Sequence, residues 1–395
     1  MPRFTPFRAI RYAPHIDLDA VVAPPYDVLS DDDLDALAAR DAHNIVHVDV
    51  PRGGDDRYLI AGRLFRRWLA DGVLVTDEHP TFTLYRMRFT DESGAHRDLV
   101  GVLGGLEVVD DGAGGVLPHE RTTPKASTDR LDLTRATEAN LSPVWGLSLA
   151  GSLTSLLAEA AEPIGSVEVD GVEHVVERVA DPERVADIEA RIASDDVLIA
   201  DGHHRYGISR IHRDDVRAAT GRRDTPAEET LAFVGELVAD QLSVEAIHRV
   251  YVGVSYDELR AVLARSLELA PAEPPTRATL TDMVARGRLV LVGPGSSAEW
   301  LIPRDGAFDG VRSIDGAWLE HAVAGTPVAD TVMYQHGLDE TLAAVERDGS
   351  AAVLIRPVSL AEIERTAREG QLMPPKSTFF TPKLRTGLVV RDLRE

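Results

Sequence analysis

Cysteine is absent from this 395-residue chain, which excludes disulfides, thiolate metal sites and a cysteine nucleophile. Positive charge is scarce: Lys+Arg total 42 against 65 Asp+Glu, a formal charge of -23, and the three lysines are Lys125, Lys376 and Lys383. A field of that sign repels a phosphate backbone, so nucleic acid is disfavoured as a partner. No run approaches the roughly 20 apolar residues of a membrane span. The opening MPRFTPFRAIRYAP carries two early prolines and no apolar stretch of signal-peptide length, so the expectation is a cytoplasmic protein without a membrane partner. Internal repeats and long low-complexity tracts are also missing. With 44% hydrophobic and 27% charged residues, the composition is that of a globular chain large enough for two cores.

What is present has an α/β (α+β) rhythm. Short β-rich runs such as TFTLYRMRF (81–89) and LVGVLGGLEVV (99–109) alternate with helical stretches such as 56–72, where Leu59, Leu64, Phe65, Trp68 and Leu69 form an apolar face. TLAFVGELV (230–238) reads as the last strand of a first domain, 1–240, and YVGVS begins a second, smaller α/β domain, 241–395. There SYDELRAVLARSLEL reads as a helix, the proline-rich LAPAEPPTRATL (269–280) as a loop, and GRLVLVG with SAEWLIP as a hairpin. Helices are expected at 318–323 and 338–348, a strand at AAVLIRPV, and a final helix with Ser359 as N-cap, Glu362 at the capping-box position and Gly370 as its stop.

Four segments concentrate chemistry. In DVLIADGHHRYGISRIHRDDV an apolar strand runs into Asp201, Gly202, His203, His204 and Arg205, with a helix to follow. A strand-to-helix turn of this kind suits an anion: glycine permits close backbone approach, helix N–H groups point outward, and a guanidinium grips two phosphate oxygens. Its structural alternative is an Asp201 N-cap followed by polar surface. The second segment, 117–147, gathers His119, Glu120, Arg121, Lys125, Asp129, Arg130 and Arg135, and taken alone reads as a solvated loop entering a salt-bridged helix. In VVAPPYDVLS two prolines set Tyr26 and Asp27 in a fixed turn, either as packing and cap or as a carboxylate held for a proton or metal. The fourth, MPPKSTFFTPKLRTGL, offers Lys376, Ser377, Thr378, Lys383 and Arg385 in a proline-punctuated segment; it lacks the glycines of a P-loop.

Taken in order, APPYDV, PHERT, ATEANLSP, ADGHHRY and MPPKSTFFTPKLRTGL resemble the hallmark stretches of domain-of-unknown-function family 1015, and they span nearly the whole chain. That family is similar to the ParB/sulfiredoxin superfamily, an α/β nucleotide-binding fold, which implies a ParB/sulfiredoxin-like N-terminal domain here. Free L-serine kinases of that superfamily have a similar Asp-Gly-His-His-Arg turn and phosphorylate the amino acid's hydroxyl. The resemblance implies that Asp201, Gly202, His203, His204 and Arg205 cradle the phosphates of ATP or ADP with Mg²⁺. Glu120 and Asp27 are then the candidate proton acceptors. His119, Lys125, Arg130, Lys376, Ser377 and Thr378 are supporting groups, with 371–390 returning to the site, and no protein ligand is assigned to a metal. The DNA-binding helices of ParB are not found, and His203 stands where sulfiredoxin needs cysteine.

Three functions follow as expectations. The first is a nucleotide-dependent kinase or phosphotransferase acting on a small hydroxyl-bearing metabolite, with L-serine one possibility. The second is a nucleotide-sensing regulatory module without turnover. The third is a metal-dependent hydrolase built on His119, Glu120, His203 and His204.

Overall fold

A computed structural model describes residues 1–91, 94–120 and 127–394. The chain forms two compact units: Met1–Ser243 with Ala367–Gly370 and Thr381–Glu395, and Val244–Thr366 with Gln371–Phe380. Each has helices packed on sheet, so the fold is α/β with several sheets. No helix among the described residues is long and apolar enough to cross a membrane.

In the first unit the elements that carry the argument are α1 (Val46–Asp49), β1 (Val116–Leu117), α2 (Ser127–Thr137), β2 (Val197–Asp201) and α3 (His203–Thr220). β1 and β2 open the larger sheet; strands 144–148, 229–236, 96–107, 82–90, 172–179 and 162–169 continue it in that order, with Phe4–Thr5 beside 96–107. β1 and β2 run parallel, Val116 facing Val197 and Leu117 facing Leu198, while 144–148 lies antiparallel on the other side of β2. β2 is therefore an interior strand, and Val197, Leu198, Ile199 and Ala200 are all buried. Each of the three larger side chains contributes about 1.5–3 kcal/mol by its burial, which explains an unbroken apolar run where a half-exposed strand would alternate.

α3 is fastened to this sheet by polar as well as apolar contacts. Tyr206 donates from its hydroxyl to the Glu107 carbonyl at 2.9 Å and accepts from the Val109 amide at 2.8 Å, and Ser209 donates to the Thr230 hydroxyl at 2.8 Å. A smaller sheet orders 74–76, 9–12, 390–392 and 139–140, so the chain's last residues are woven into the first unit. Helix Arg57–Ala70 buries Ala61, Gly62, Phe65 and Trp68, whereas Leu59 is 60% exposed. The apolar face is thus rotated from the one that leucine spacing suggests.

The second unit holds an antiparallel sheet in the order 267–271, 297–303, 289–293, 351–354, 247–251, 332–336. Alternate residues serve opposite faces: Leu289, Leu291, Ala351 and Val353 pack against helices 256–263 and 315–323, and Val290, Val292, Ala352 and Leu354 against 277–286 and 338–348. Two departures from the sequence reading lie here. The helix starting at Tyr256 stops at Leu263, and Leu267–Pro271 becomes an edge strand; the loop expected over 269–280 gives way at Arg277 to a helix that runs to Arg286. The prolines punctuate a short connection between these elements. Ser359 caps the last helix through the Glu362 amide at 3.2 Å, but the Glu362 carboxylate turns to Arg312 and Arg365 instead of completing the box.

Gly101 tests how tightly the first core is packed. A Cβ there would stand 2.4 Å from the Phe233 ring, which is itself buried edge-on against Tyr85 and Trp145 and cannot retreat. Gly101→Ala is expected to lose about 1–3 kcal/mol, read as a lower midpoint in urea unfolding.

Candidate functional site

Because β1 and β2 are parallel neighbours, the residues that follow each emerge at the same end of the sheet. Pro118, His119 and Glu120 leave β1 beside Asp201, Gly202 and His203 leaving β2. This is the carboxyl end of adjacent parallel strands, the usual place for a ligand crevice in such sheets. The junction is pinned by His119, fully buried, whose Nδ1–H donates to the Ile199 carbonyl at 2.7 Å. Its ring meets that of His203 edge-on, with centroids 4.9 Å apart. Glu120 follows, half-buried.

Gly202 makes the turn possible. Its φ of +86° lies in the left-handed region, and a Cβ there would stand 3.0 Å from the Arg205 guanidinium, which lies back across the glycine. As the N-cap of an 18-residue helix it puts no side chain over the first-turn N–H groups. Arg205 is 11% exposed in its side chain; Nη2 donates to Asp201 Oδ2 at 3.0 Å and Nη1 to the Pro143 carbonyl. Its remaining N–H groups have no acceptor among the described residues, so a bound anion has donors to meet. Lys383, from the returning tail, lies 3.5 Å from Asp201 Oδ1.

Burial sets the protonation states. It pulls the His119 imidazole down to about 4, against the weaker opposing pull of the Ile199 carbonyl and Asp201. It pulls His203 well below its ordinary value, and neighbouring His119 adds to the effect. Both rings are neutral at pH 7, so His203 can offer a hydrogen bond and not a charge. Its Nε2 is buried without a partner among the described residues, a costly condition for a polar atom. Arg205 is also penalised by burial, but Asp201, Asp27, Tyr26 and Asp49 outweigh that penalty and raise its pKa.

The PPYD turn, a short 3-10 stretch at Tyr26–Val28, sits in the same electrostatic neighbourhood. Tyr26 lies over the Arg130 guanidinium at 4.4 Å, and Asp27 is exposed. Arg130 belongs to α2 and is anchored at both ends: Nη1 donates to the Asp49 carbonyl at 2.6 Å and lies 3.3 Å from its carboxylate, while Nε donates to Asp129 at 2.7 Å. Tyr26, Asp49, Arg130, Asn140, Ser142 and Arg205 help line a cavity of about 50 Å³. That volume admits a few waters and is far below the several hundred Å³ of a cofactor pocket.

The other sequence candidates are distributed unevenly. Lys125 and Arg121 lie outside the described residues. Lys376, Ser377 and Thr378 belong to the second unit, where Ser377 donates from Oγ to the Pro374 carbonyl at 2.7 Å and Arg249 donates to the Lys376 carbonyl at 3.1 Å. Lys383, 3.5 Å from Asp201, belongs to the first unit together with the 201–205 turn. Among the described residues no group of three or more His, Asp or Glu side chains could hold a metal ion, so the hydrolase reading has no ligand set there. Asp49 was missed by sequence reasoning; the available signal was an acid closing the otherwise apolar stretch Ile45-Val46-His47-Val48-Asp49-Val50.

The family model described as a protein of unknown function (DUF1015) matches residues 4–346. The chain belongs to that family. No curated protein matches it. Among solved structures it is similar to a free serine kinase variant in complex with ADP, at 14% identity, covering 71% of this chain and 89% of that one with a TM-score of 0.41. It is also similar to C-terminally truncated SbnI from Staphylococcus aureus (13%, 73% and 87%, 0.39). A conserved hypothetical protein from Pyrococcus furiosus is a third (13%, 69% and 92%, 0.37).

The His119 environment has a measurable consequence. Its pKa is depressed in the fold to about 4 from 6.5, so between those values the unfolded chain binds the extra proton and folding stability rises with pH. The contribution is complete above pH 6.5 and is lost as the pH falls toward 4. The pH dependence of unfolding between pH 7 and pH 5 is expected to be shallower in His119→Gln than in the wild type, by up to about 2 kcal/mol over that interval. Parallel curves would show that His119 is not the buried neutral group described.

Proposed function

We propose that the protein binds ATP or ADP at the 201–205 turn and transfers a phosphoryl group to the hydroxyl of a small metabolite. The observation that carries this reading is the single turn in which left-handed Gly202 opens the N-terminus of a long helix while Arg205 lies across the same glycine with donors to spare. A helix N-terminus and a guanidinium supply directed hydrogen bonds to phosphate oxygens, and phosphoryl transfer asks a protein chiefly for such positioning and charge. His203 adds a neutral donor, and Lys383 a second cation. The serine-kinase-like Asp-Gly-His-His-Arg stretch makes L-serine the first acceptor to try.

In the reaction the acceptor oxygen bonds to the terminal phosphorus, the bond from that phosphorus to the bridging oxygen breaks, and ADP or AMP departs. The hydroxyl proton passes to a carboxylate. Glu120 is the preferred acceptor, since the paired ends of β1 and β2 deliver it beside the turn; Asp27 is the second candidate. Mg²⁺ bound to the nucleotide would neutralise phosphate charge, and it commonly takes only one or two protein carboxylates. The exposed Asp27, whose charge acts on Arg205, fits that use.

Arg205→Ala is expected to weaken ADP binding by about 10- to 100-fold, since a charge-assisted hydrogen bond contributes roughly 1.5–3 kcal/mol. Thermal shifts with a nucleotide panel check this, because a ligand at about a hundred times its Kd adds roughly 2.7 kcal/mol. No shift with any nucleotide would end the proposal. Glu120→Gln is expected to keep nucleotide binding while lowering product formation from L-serine and other hydroxyl compounds by about 10²–10⁴, followed by mass spectrometry. Binding without product from any acceptor favours the sensing module; an unchanged rate in Glu120→Gln moves the role to Asp27.

A further inference from the structure

Asp49 has no explanation in local structure. It ends α1, a four-residue helix inside an apolar run, where a carboxylate would ordinarily be replaced by a hydrophobic residue. Its side chain is 5% exposed. Burying a carboxylate is costly unless it is paired and hydrogen-bonded, and here burial raises its pKa while Arg130 and then Arg205 pull the other way. The pairing with Arg130 is made twice, once through the Asp49 carbonyl and once through its carboxylate.

The partner leads to the site. Arg130 is 9% exposed, and the face of its guanidinium is covered by Tyr26, the residue immediately before Asp27. Planar stacking and bidentate anchoring are things arginine does and lysine does not. Asp49, Arg130 and Tyr26 also line one cavity with Arg205. A rigid route therefore runs from the buried carboxylate through a guanidinium to the PPYD turn, with Arg205 along the same wall.

We propose that Asp49 is a positioning residue that, by fixing Arg130, holds Tyr26 and Asp27 in place beside Arg205. Asp49 touches no ligand itself; removing its charge leaves Arg130 held by the Asp49 carbonyl and the half-exposed Asp129 carboxylate, which loosens the guanidinium under Tyr26 and with it the 25–28 turn. Its effect on nucleotide binding rests on the reading of the 201–205 turn given above, whereas its effect on the turn does not.

The experiment compares wild type, Asp49→Asn, Asp49→Glu and Tyr26→Leu by hydrogen exchange and by ADP titration in the full chain. The Val28 amide, which donates to the Pro25 carbonyl at 3.2 Å, reports the turn. In Asp49→Asn its exchange is expected to quicken by about tenfold and ADP affinity to fall by about tenfold, the scale of coupling carried by such networks. Exchange in β2 and α3 should stay at wild-type rates, which separates the effect from unfolding. Asp49→Glu should restore much of both losses, and Tyr26→Leu, which leaves the buried pair intact, should reproduce them should Asp49→Asn fail to fold. Unchanged exchange at 25–28 in Asp49→Asn, or in Tyr26→Leu if only that variant folds, overturns the inference. Quickened exchange with unaltered ADP affinity overturns the functional part of it. Quickened exchange in a protein whose wild type binds no nucleotide upholds the positioning role and refutes the nucleotide reading.

Discussion

Two parallel strands of unequal length, Val116–Leu117 and Val197–Asp201, pair over two residues, and the candidate site depends on that pairing, because it carries His119 and Glu120 along the last residues of the longer strand. Because the pairing is parallel, segments some 80 residues apart in the chain leave the sheet side by side. The His119 bond to the Ile199 carbonyl locks their register at the last moment before both turn away. A one-residue slip would move every side chain of β1 to the opposite face. It would take His119 away from His203 and Glu120 away from the turn. The pairing itself is short, so the buried histidine does work that a longer ladder would otherwise do.

The second constraint is electrostatic. In a chain of formal charge -23, cations near the site cannot rely on the surroundings for a positive field. Each is matched individually: Arg205 and Lys383 with Asp201, Arg130 with Asp49 and Asp129. Such pairing fixes the geometry of side chains that would otherwise lose rotamer freedom on binding. The histidines are handled oppositely. Burial strips their charge, so they contribute shape and hydrogen bonds without adding to the repulsion among cations.

Much of this architecture is legible in the sequence because one kind of signal dominates each part. An apolar run ending in Asp-Gly marks β2 and its turn, and amphipathic periodicity with a terminal glycine marks helix 338–348 to the residue. Reading failed where two signals overlapped. SYDELRAVLARSLEL keeps its helical spacing past Leu263, but Leu267 and the residues after it gain more by pairing with 297–303, and tertiary contact overrides propensity. Asp49 is hard to read for a related reason: an acid at the end of an apolar stretch signals burial but does not name its partner, and Arg130 lies 81 residues away. The tail shows the same limit. Lys376 and Lys383 stand seven residues apart in one proline-rich stretch, and only the three-dimensional path assigns them to different units.

These constraints bear on how an anion would be recognised. Among the described residues around the turn the carboxylates Asp27, Asp49, Glu120, Asp129 and Asp201 outnumber the cations Arg130, Arg205 and Lys383, so their net charge offers no attraction. Beyond the roughly 8 Å Debye length at physiological salt, the acidic surface is screened and neither draws in nor strongly expels a nucleotide. In the proposed reading recognition comes from groups in contact, the further N–H groups of Arg205 and the His203 nitrogen. Directed donors of this kind discriminate by geometry, and they do so best when held rigidly before the ligand arrives. Asp201, which looks at first like a liability for phosphate binding, holds the Arg205 guanidinium through its 3.0 Å contact with Nη2.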